Sequence, residues 1–251
     1  MKNNMNINYY LIHNLDQKRY ENMVKLFNEN NISLDNVKFI NHPNKNELTY
    51  EIKRKVVQKN SKIPDGWISC SYKHYLALED IVRNNIEIAV IMEDNIGGFY
   101  ENVQTRIKKY LQEMDEDWDI IFDSIFSNFD ELNEGNVTED KLVYLKKNSI
   151  TKNSEGKIIA HGATRAAQFY LVNFNSAKKL YENFIPFNHS ADMWMNSVIR
   201  KLDLKVYWSE PSLVTSKFNS VSSTLHRYDK KTLKQITYII KSRITNKLLR
   251  I

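Results

Sequence analysis

Apolar residues fall in short runs, separated by stretches in which they recur every three to four positions. The run NYYLIH, 8–13, predicts a first strand. After it Asn14 or Asp16 can cap a helix over 17–30, with Tyr20, Met23, Val24 and Phe27 on one face. VKFINH, 37–42, predicts a second strand, and 47–59 an exposed, heavily charged helix. A helix over 69–84 follows, capped by Ser69 or Ser71 and apolar along Leu76, Leu78, Ile81 and Val82. EIAVIM, 87–92, is apolar almost without a break, the pattern of a strand covered on both faces. Gly97 and Gly98 then break the chain, and 99–113 is helical in pattern. Further strands are expected at DWDIIFDS (117–124), QFYLVN (168–173) and KVYWSE (205–210), and further helices at 175–184 and 190–201. Residues 127–160 are polar and weakly periodic, an insertion with one hairpin near 141–159. A last helix is expected over 230–249.

Strands alternating with helices imply an α/β fold with a mainly parallel central sheet flanked by helices. In such folds ligands bind beyond the carboxyl ends of the strands. Asn14, Glu93 to Asn95 and Asp123 all fall at predicted strand ends, so distant segments point at one rim. No internal repeat or change in composition marks a second domain. The chain of 251 residues therefore divides into one domain over 1–228 and a basic amphipathic helix over 229–251.

Composition changes this picture little, and charge changes it more. Hydrophobic residues make up 42% and charged residues 26%, as in an ordinary globular chain. Only 6 Gly and 4 Pro argue against long linkers. The single cysteine, Cys70, excludes an intrachain disulfide and reads as a packing residue. No export signal and no apolar run long enough for a membrane span are apparent, so the expected location is cytoplasmic. The triplets at Asn31, Asn136 and Asn188 are then chance matches to a glycosylation acceptor. Seven of the 36 cations and one of the 30 acids lie after residue 228, so the whole surplus of +6 sits in the tail. A neutral body argues against nucleic acid as the partner. The tail places Leu233, Ile236, Ile240, Ile244 and Leu248 at helical spacing among cations. Either it touches an anionic membrane surface peripherally, or it docks on the core with a solvated basic face.

The candidate chemistry centres on IAVIMEDN, 88–95. If the strand persists, Glu93 and Asn95 share a side. A buried strand delivering carboxylates to a rim suits a hard cation such as Mg²⁺ or Mn²⁺, which takes oxygen ligands and bridges to phosphates. The spacing is that of the D-x-D motif of sugar-nucleotide transferases; a solvated strand end is the alternative.

The flanks extend the pattern. GWISCSYKH, 66–74, keeps Gly66, Ile68, Cys70 and His74 of a Gly-x-Ile-Gly-Cys-x-x-Ser-His helix start, with Ser69 and Lys73 in place of the second Gly and the Ser. LALEDIVRNNIEIAVIMEDNI then runs helix to strand to acids. IHNLDQKRYENM, 12–23, supplies Asn14, Leu15 and Arg19; DWDIIFDS supplies an Asp-Trp-Asp strand; and 163–195 ends in a Pro and an Asp near a Trp. Together, over about residues 7–218, these blocks resemble glycosyltransferase family 25, which includes lipooligosaccharide and collagen galactosyltransferases.

The resemblance implies a GT-A, Rossmann-like glycosyltransferase fold. It also implies a UDP-sugar as donor, a Mn²⁺ or Mg²⁺ ion, and transfer of a hexose, galactose or glucose, usually with inversion. The acceptor would be a hydroxyl of a glycan, a lipid-linked glycan or a protein. Carried onto this sequence, it makes Asn14, Arg19, Lys73, His74, Glu93 and Asp94 the donor-binding residues. Glu93 and Asn95 become metal ligands. Apart from the resemblance, His189 or His226 could supply a third ligand from the C-terminal part, with an ordinary surface histidine as the alternative for each. Asp192 is the candidate base and acceptor-binding acid, with a helix N-cap as its alternative. Asp123 is a second acceptor-binding candidate, or a strand-end turn. The family carries Asp where this chain has Asn95, which removes a charge from the metal motif. Metal binding then survives in weaker form, or Lys73 substitutes as the cation for the diphosphate, or catalysis is lost and a GT-A-fold binding protein remains.

Overall fold

The computed structural model describes residues 6–114, 118–123, 141–145, 150–152, 158–161, 166–210 and 212–216. Its centre is a sheet of seven strands: β1 (Ile7–Ile12), β2 (Val37–Ile40), β3 (Ile88–Glu93), β5 (Ile120–Asp123), β6 (Lys141–Leu145), β9 (Phe169–Asn173) and β10 (Val206–Glu210). They lie in the order β2-β1-β3-β9-β5-β10-β6. β1, β2, β3, β5 and β10 share one direction, and only β9 and β6 reverse it. The sheet is thus mixed but mostly of one sense, as the apolar strands predicted.

Both faces are covered. Along β1, Tyr9 and Leu11 enter one core with Met23 and Phe27 of α1 (Gln17–Glu29) and Ile107 and Tyr110 of α4 (Val103–Glu113). Tyr10 and Ile12 enter the other, with Leu78 and Ile81 of α3 (Asp65–Arg83), Leu180 of α5 (Phe174–Phe184) and Met195 of α6 (Ala191–Leu202). Successive side chains on a strand point to opposite faces, so a strand with two buried faces cannot alternate apolar and polar. Each fully buried Leu, Met or Phe stabilises the sandwich by about 1.5–3 kcal/mol.

Several boundaries differ from expectation. α3 begins at Asp65 after Pro64, so Ser69 and Ser71 are buried inside the helix and cap nothing. A Gly-containing first turn has low helix propensity, which burial of its inner face outweighs here. Tyr20 is 39% exposed and lies against the rings of His13 and Phe39 rather than entering the core. The charged helix is shorter than expected, α2 spanning Tyr50–Val56. Gly97 and Gly98 do not break the chain. They belong to β4 (Ile96–Phe99), paired with β11 (Val214–Ser216). In the polar insertion Lys141–Leu145 is an edge strand on β10, and the hairpin is β7 (Ile150–Lys152) with β8 (Ile158–His161). The predicted tail helix and His226 lie outside the described residues.

Candidate functional site

β1 and β3 run parallel in a register that sets Ile12 beside Glu93. Both strands therefore end at the same level, and the residues after them, His13 and Asn14 on one side and Asp94 and Asn95 on the other, meet. The chain leaves β1 through Leu15, held in the left-handed region at φ 64. A side chain with a Cβ pays about 1–2 kcal/mol for that conformation. It lets Asn14 face Asp94 while its Oδ1 accepts from the Asp16 backbone N–H at 3.0 Å. Asp16 in turn caps α1 by accepting from the N–H of Arg19 at 3.0 Å.

A cleft opens at this rim. Its walls come from four separate stretches: His13, Asn14 and Arg19; Asn44 to Asn46; Gly66, Ser69, Cys70 and Lys73; and Glu93 to Asn95. Asp94 is the fastener among them. Its Oδ1 receives Arg19 at 2.6 Å, and its Oδ2 is bonded to His13 Nδ1 at 2.9 Å and accepts from the Asn14 N–H at 3.1 Å. Burial alone would raise the Asp94 pKa, but the His13 bond and the Arg19 charge outweigh it and hold the carboxyl below its ordinary range. Lys73, only 2% exposed, donates to the His13 carbonyl at 2.6 Å and to Asn44 Oδ1 at 2.7 Å. Its burial pushes the ammonium pKa down to about 8.

Glu93 faces the opposite wall. Its Oε1 lies 3.4 Å from His74 Nε2 and 3.7 Å from Cys70 Sγ, and its Oε2 accepts from the Asn95 amide at 3.1 Å. The Asn95 carbonyl oxygen is buried with no hydrogen-bond partner. His74 is sealed in the core, with Nδ1 3.0 Å from the Tyr170 hydroxyl. Burial, with the Glu93 charge adding to it, pushes the Cys70 thiol well above its ordinary pKa.

The structure thus brings Asn14, Arg19, Lys73, Glu93, Asp94 and Asn95 to one cleft, with His74 behind Glu93. Asp192 sits half-buried in the first turn of α6, where its Oδ1 accepts from Ser190 at 2.6 Å. It is not the N-cap, which is Ser190, and its charge reaches Cys70. Asp123 does not line the cleft. It accepts from Ser209 at 3.1 Å, Ser212 at 2.5 Å and the Leu213 N–H at 2.5 Å, bracing the chain after β10. His189 is exposed on the loop before α6, outside the one group of metal-binding side chains that gathers among the described residues. Sequence reasoning passed over His13, the Asn44 to Asn46 loop and the place of Cys70 on the cleft wall. The signal for Cys70 was its place four residues before His74, which puts both on one face of α3.

A hard divalent ion fits the Glu93-Asp94-Asn95 triplet poorly. Both oxygens of Asp94 are occupied by Arg19, His13 and the Asn14 N–H. One carboxylate and a neutral carbonyl remain, short of the oxygen-rich, anionic shell that Mg²⁺ and Mn²⁺ prefer.

No curated protein matches the chain in sequence. Among solved structures, the crystal structure of A197 from STIV is similar over 89% of this chain and 100% of that one, at 9% identity and a TM-score of 0.43. The sequence pattern of glycosyltransferase family 25 (LPS biosynthesis protein) matches residues 6–195, a span that contains every cleft-lining residue among the described residues, and the chain belongs to that family.

Proposed function

We propose that this transferase moves a hexose, galactose or glucose, from a UDP-sugar to a hydroxyl of a glycan, a lipid-linked glycan or a protein, with inversion at the sugar carbon. One observation carries the proposal. Four stretches distant in sequence close around a single cleft at the carboxyl ends of β1 and β3, and two of its walls carry the cations Arg19 and Lys73. A diphosphate leaving group gains charge as its bond to the sugar breaks, and fixed cations in a part-dry cleft stabilise that charge. Asn14, Glu93 and Asp94 shape the donor side, and Asp94 holds Arg19 in place. His74 is buried and acts through Glu93 rather than on the donor.

The acceptor oxygen forms the new bond to the sugar carbon as the bond to the diphosphate breaks. UDP leaves with the electron pair, and the acceptor proton passes to a carboxylate. Asp192 is proposed for that task, because it is half-buried and close enough to Cys70 for its charge to act there. Asp123 is not placed in the proposed site, since it does not line the cleft. The basic tail, 229–251, is proposed to hold the enzyme against an anionic membrane where a lipid-linked acceptor would lie.

Donor hydrolysis across UDP- and GDP-hexoses tests the proposal. Turnover of a UDP-hexose is expected, and Arg19→Ala should lower kcat/KM by about 10- to 100-fold, at 1.4 kcal/mol per tenfold. A folded protein inert to every donor would contradict it. The Asn95 amide on Glu93 favours a second reading, a transferase weakened by loss of the hard-cation site. There Asn95→Asp replaces a hydrogen bond by two adjacent carboxylates, so the variant should gain Mn²⁺-dependent turnover and a larger Mn²⁺-induced rise in Tm. A fully active wild type, with Asn95→Asp gaining nothing from Mn²⁺, removes that reading.

A further inference from the structure

Cys70 and His74 stand one turn apart on α3, and Glu93 ends β3 opposite them. The thiol sulfur, imidazole nitrogen and carboxylate oxygen all lie within 4.8 Å of one another. Oε1 of Glu93 is 3.7 Å from the sulfur and 3.4 Å from the nitrogen. A tetrahedral zinc ion, with bonds of about 2.0–2.3 Å, keeps neighbouring ligand atoms about 3.3–3.6 Å apart. The two distances from Glu93 Oε1 already lie near these spacings, and the sulfur and nitrogen are within 4.8 Å of each other.

Three further features fit an ion. The Tyr170 hydroxyl, 3.0 Å from His74 Nδ1, fixes the ring so that Nε2 turns toward Glu93. The Asn95 amide holds the other oxygen of Glu93 at 3.1 Å. Supports of this kind orient metal ligands. A thiolate and a carboxylate neutralise a dication, which removes the main cost of placing charge where His74 is fully buried. Sulfur and imidazole donors select zinc-like ions over Mg²⁺.

We propose that Cys70, His74 and Glu93 form a three-ligand site for a borderline transition-metal ion, zinc foremost, with its fourth position open to the cleft. Cys70 and Glu93 line the cleft while His74 seals the back, so the ion's remaining face meets whatever the cleft holds. Binding replaces the thiol proton by the metal: Cys70 Sγ–H and the free dication become Sγ–metal and one released proton, so affinity rises with pH. The inference does not rest on the transfer reaction.

The full chain, stripped with a chelator, is titrated with Co²⁺. The expected result is one ion per chain, with a near-ultraviolet thiolate-to-cobalt absorption band that Zn²⁺ bleaches and excess Mg²⁺ does not. Cys70→Ser should lose the band. Should that variant fail to fold, X-ray absorption at the zinc edge of the loaded wild type decides instead: one sulfur ligand supports the site, and none overturns it. A folded wild type that binds no Co²⁺, or binds it without the thiolate band, also overturns it. The band in a protein inert to every nucleotide sugar would sink the proposed function and leave the metal site standing. Turnover without the band would do the reverse.

Discussion

At the scale of single residues, Lys73 has the most to tell. It stands where the family pattern carries Ser, yet it is nearly inaccessible and still borders the cleft. Burial lowers its pKa from 10.5 to about 8. The unfolded chain keeps this proton up to the ordinary value, so between about 8 and 10.5 the unfolded state binds more protons than the folded one. Stability from this group therefore rises with pH across that window, by on the order of 3 kcal/mol in all. On the proposed donor site, binding moves the opposite way, because the cation proposed to face the diphosphate is lost in the same window. Melting temperature and kcat/KM measured between pH 7 and 9 should show this opposition for the wild type, after comparison with Lys73→Met to remove slopes from other groups. The variant should also bind donor more weakly at pH 7, by about tenfold or more. Equal slopes in the two proteins would show that Lys73 does neither.

At the scale of elements, the strands and most helices were legible because burial on two faces writes itself into sequence as unbroken apolar runs and three-to-four-residue spacing. The Glu93 rim was legible because the run ends abruptly in acids. What escaped were relations between elements. Nothing in IEIAVIMEDN says that the Asp94 oxygens will be taken by His13, Arg19 and the Asn14 N–H, since that depends on the parallel register of β1 and β3. Likewise Gly97 and Gly98 read as a break because their strand partner, Val214–Ser216, is more than a hundred residues away. Asp123 is a third case. Its position at a strand end suggested ligand binding, but its bonds to Ser209, Ser212 and the Leu213 N–H tie β5 to the segment that enters β11. Asp123→Ala should strand the buried Leu213 N–H and cost about 2–4 kcal/mol. Denaturant unfolding would read this as a lower midpoint, with Asp123→Asn losing less. If instead Asp123→Ala keeps full stability and loses acceptor affinity, the brace is not its main role.

At the scale of the whole molecule, charge separates from chemistry. The matched family segment ends at residue 195, and the formal surplus of +6 lies wholly beyond residue 228. Among the described residues no helix is long and apolar enough to cross a membrane. Attachment by this tail is proposed to be from the surface, through cations worth about 1 kcal/mol each near anionic lipid. Leu233, Ile236, Ile240, Ile244 and Leu248 would add apolar contact at helical spacing. The two contributions respond differently to salt, which screens the charges over a Debye length of about 8–10 Å and leaves apolar contact untouched. The full chain should sediment with vesicles containing phosphatidylglycerol and much less with phosphatidylcholine alone. Raising salt should weaken the attachment without abolishing it. A chain ending at Tyr228 should stay in solution with both vesicle types while hydrolysing a UDP-hexose at the full rate, because every cleft-lining residue among the described residues, and the proposed base Asp192, lie before that point. If that shortened chain loses hydrolysis while remaining folded, the tail belongs to the catalytic body, and its cations contribute to the donor site rather than to a lipid surface.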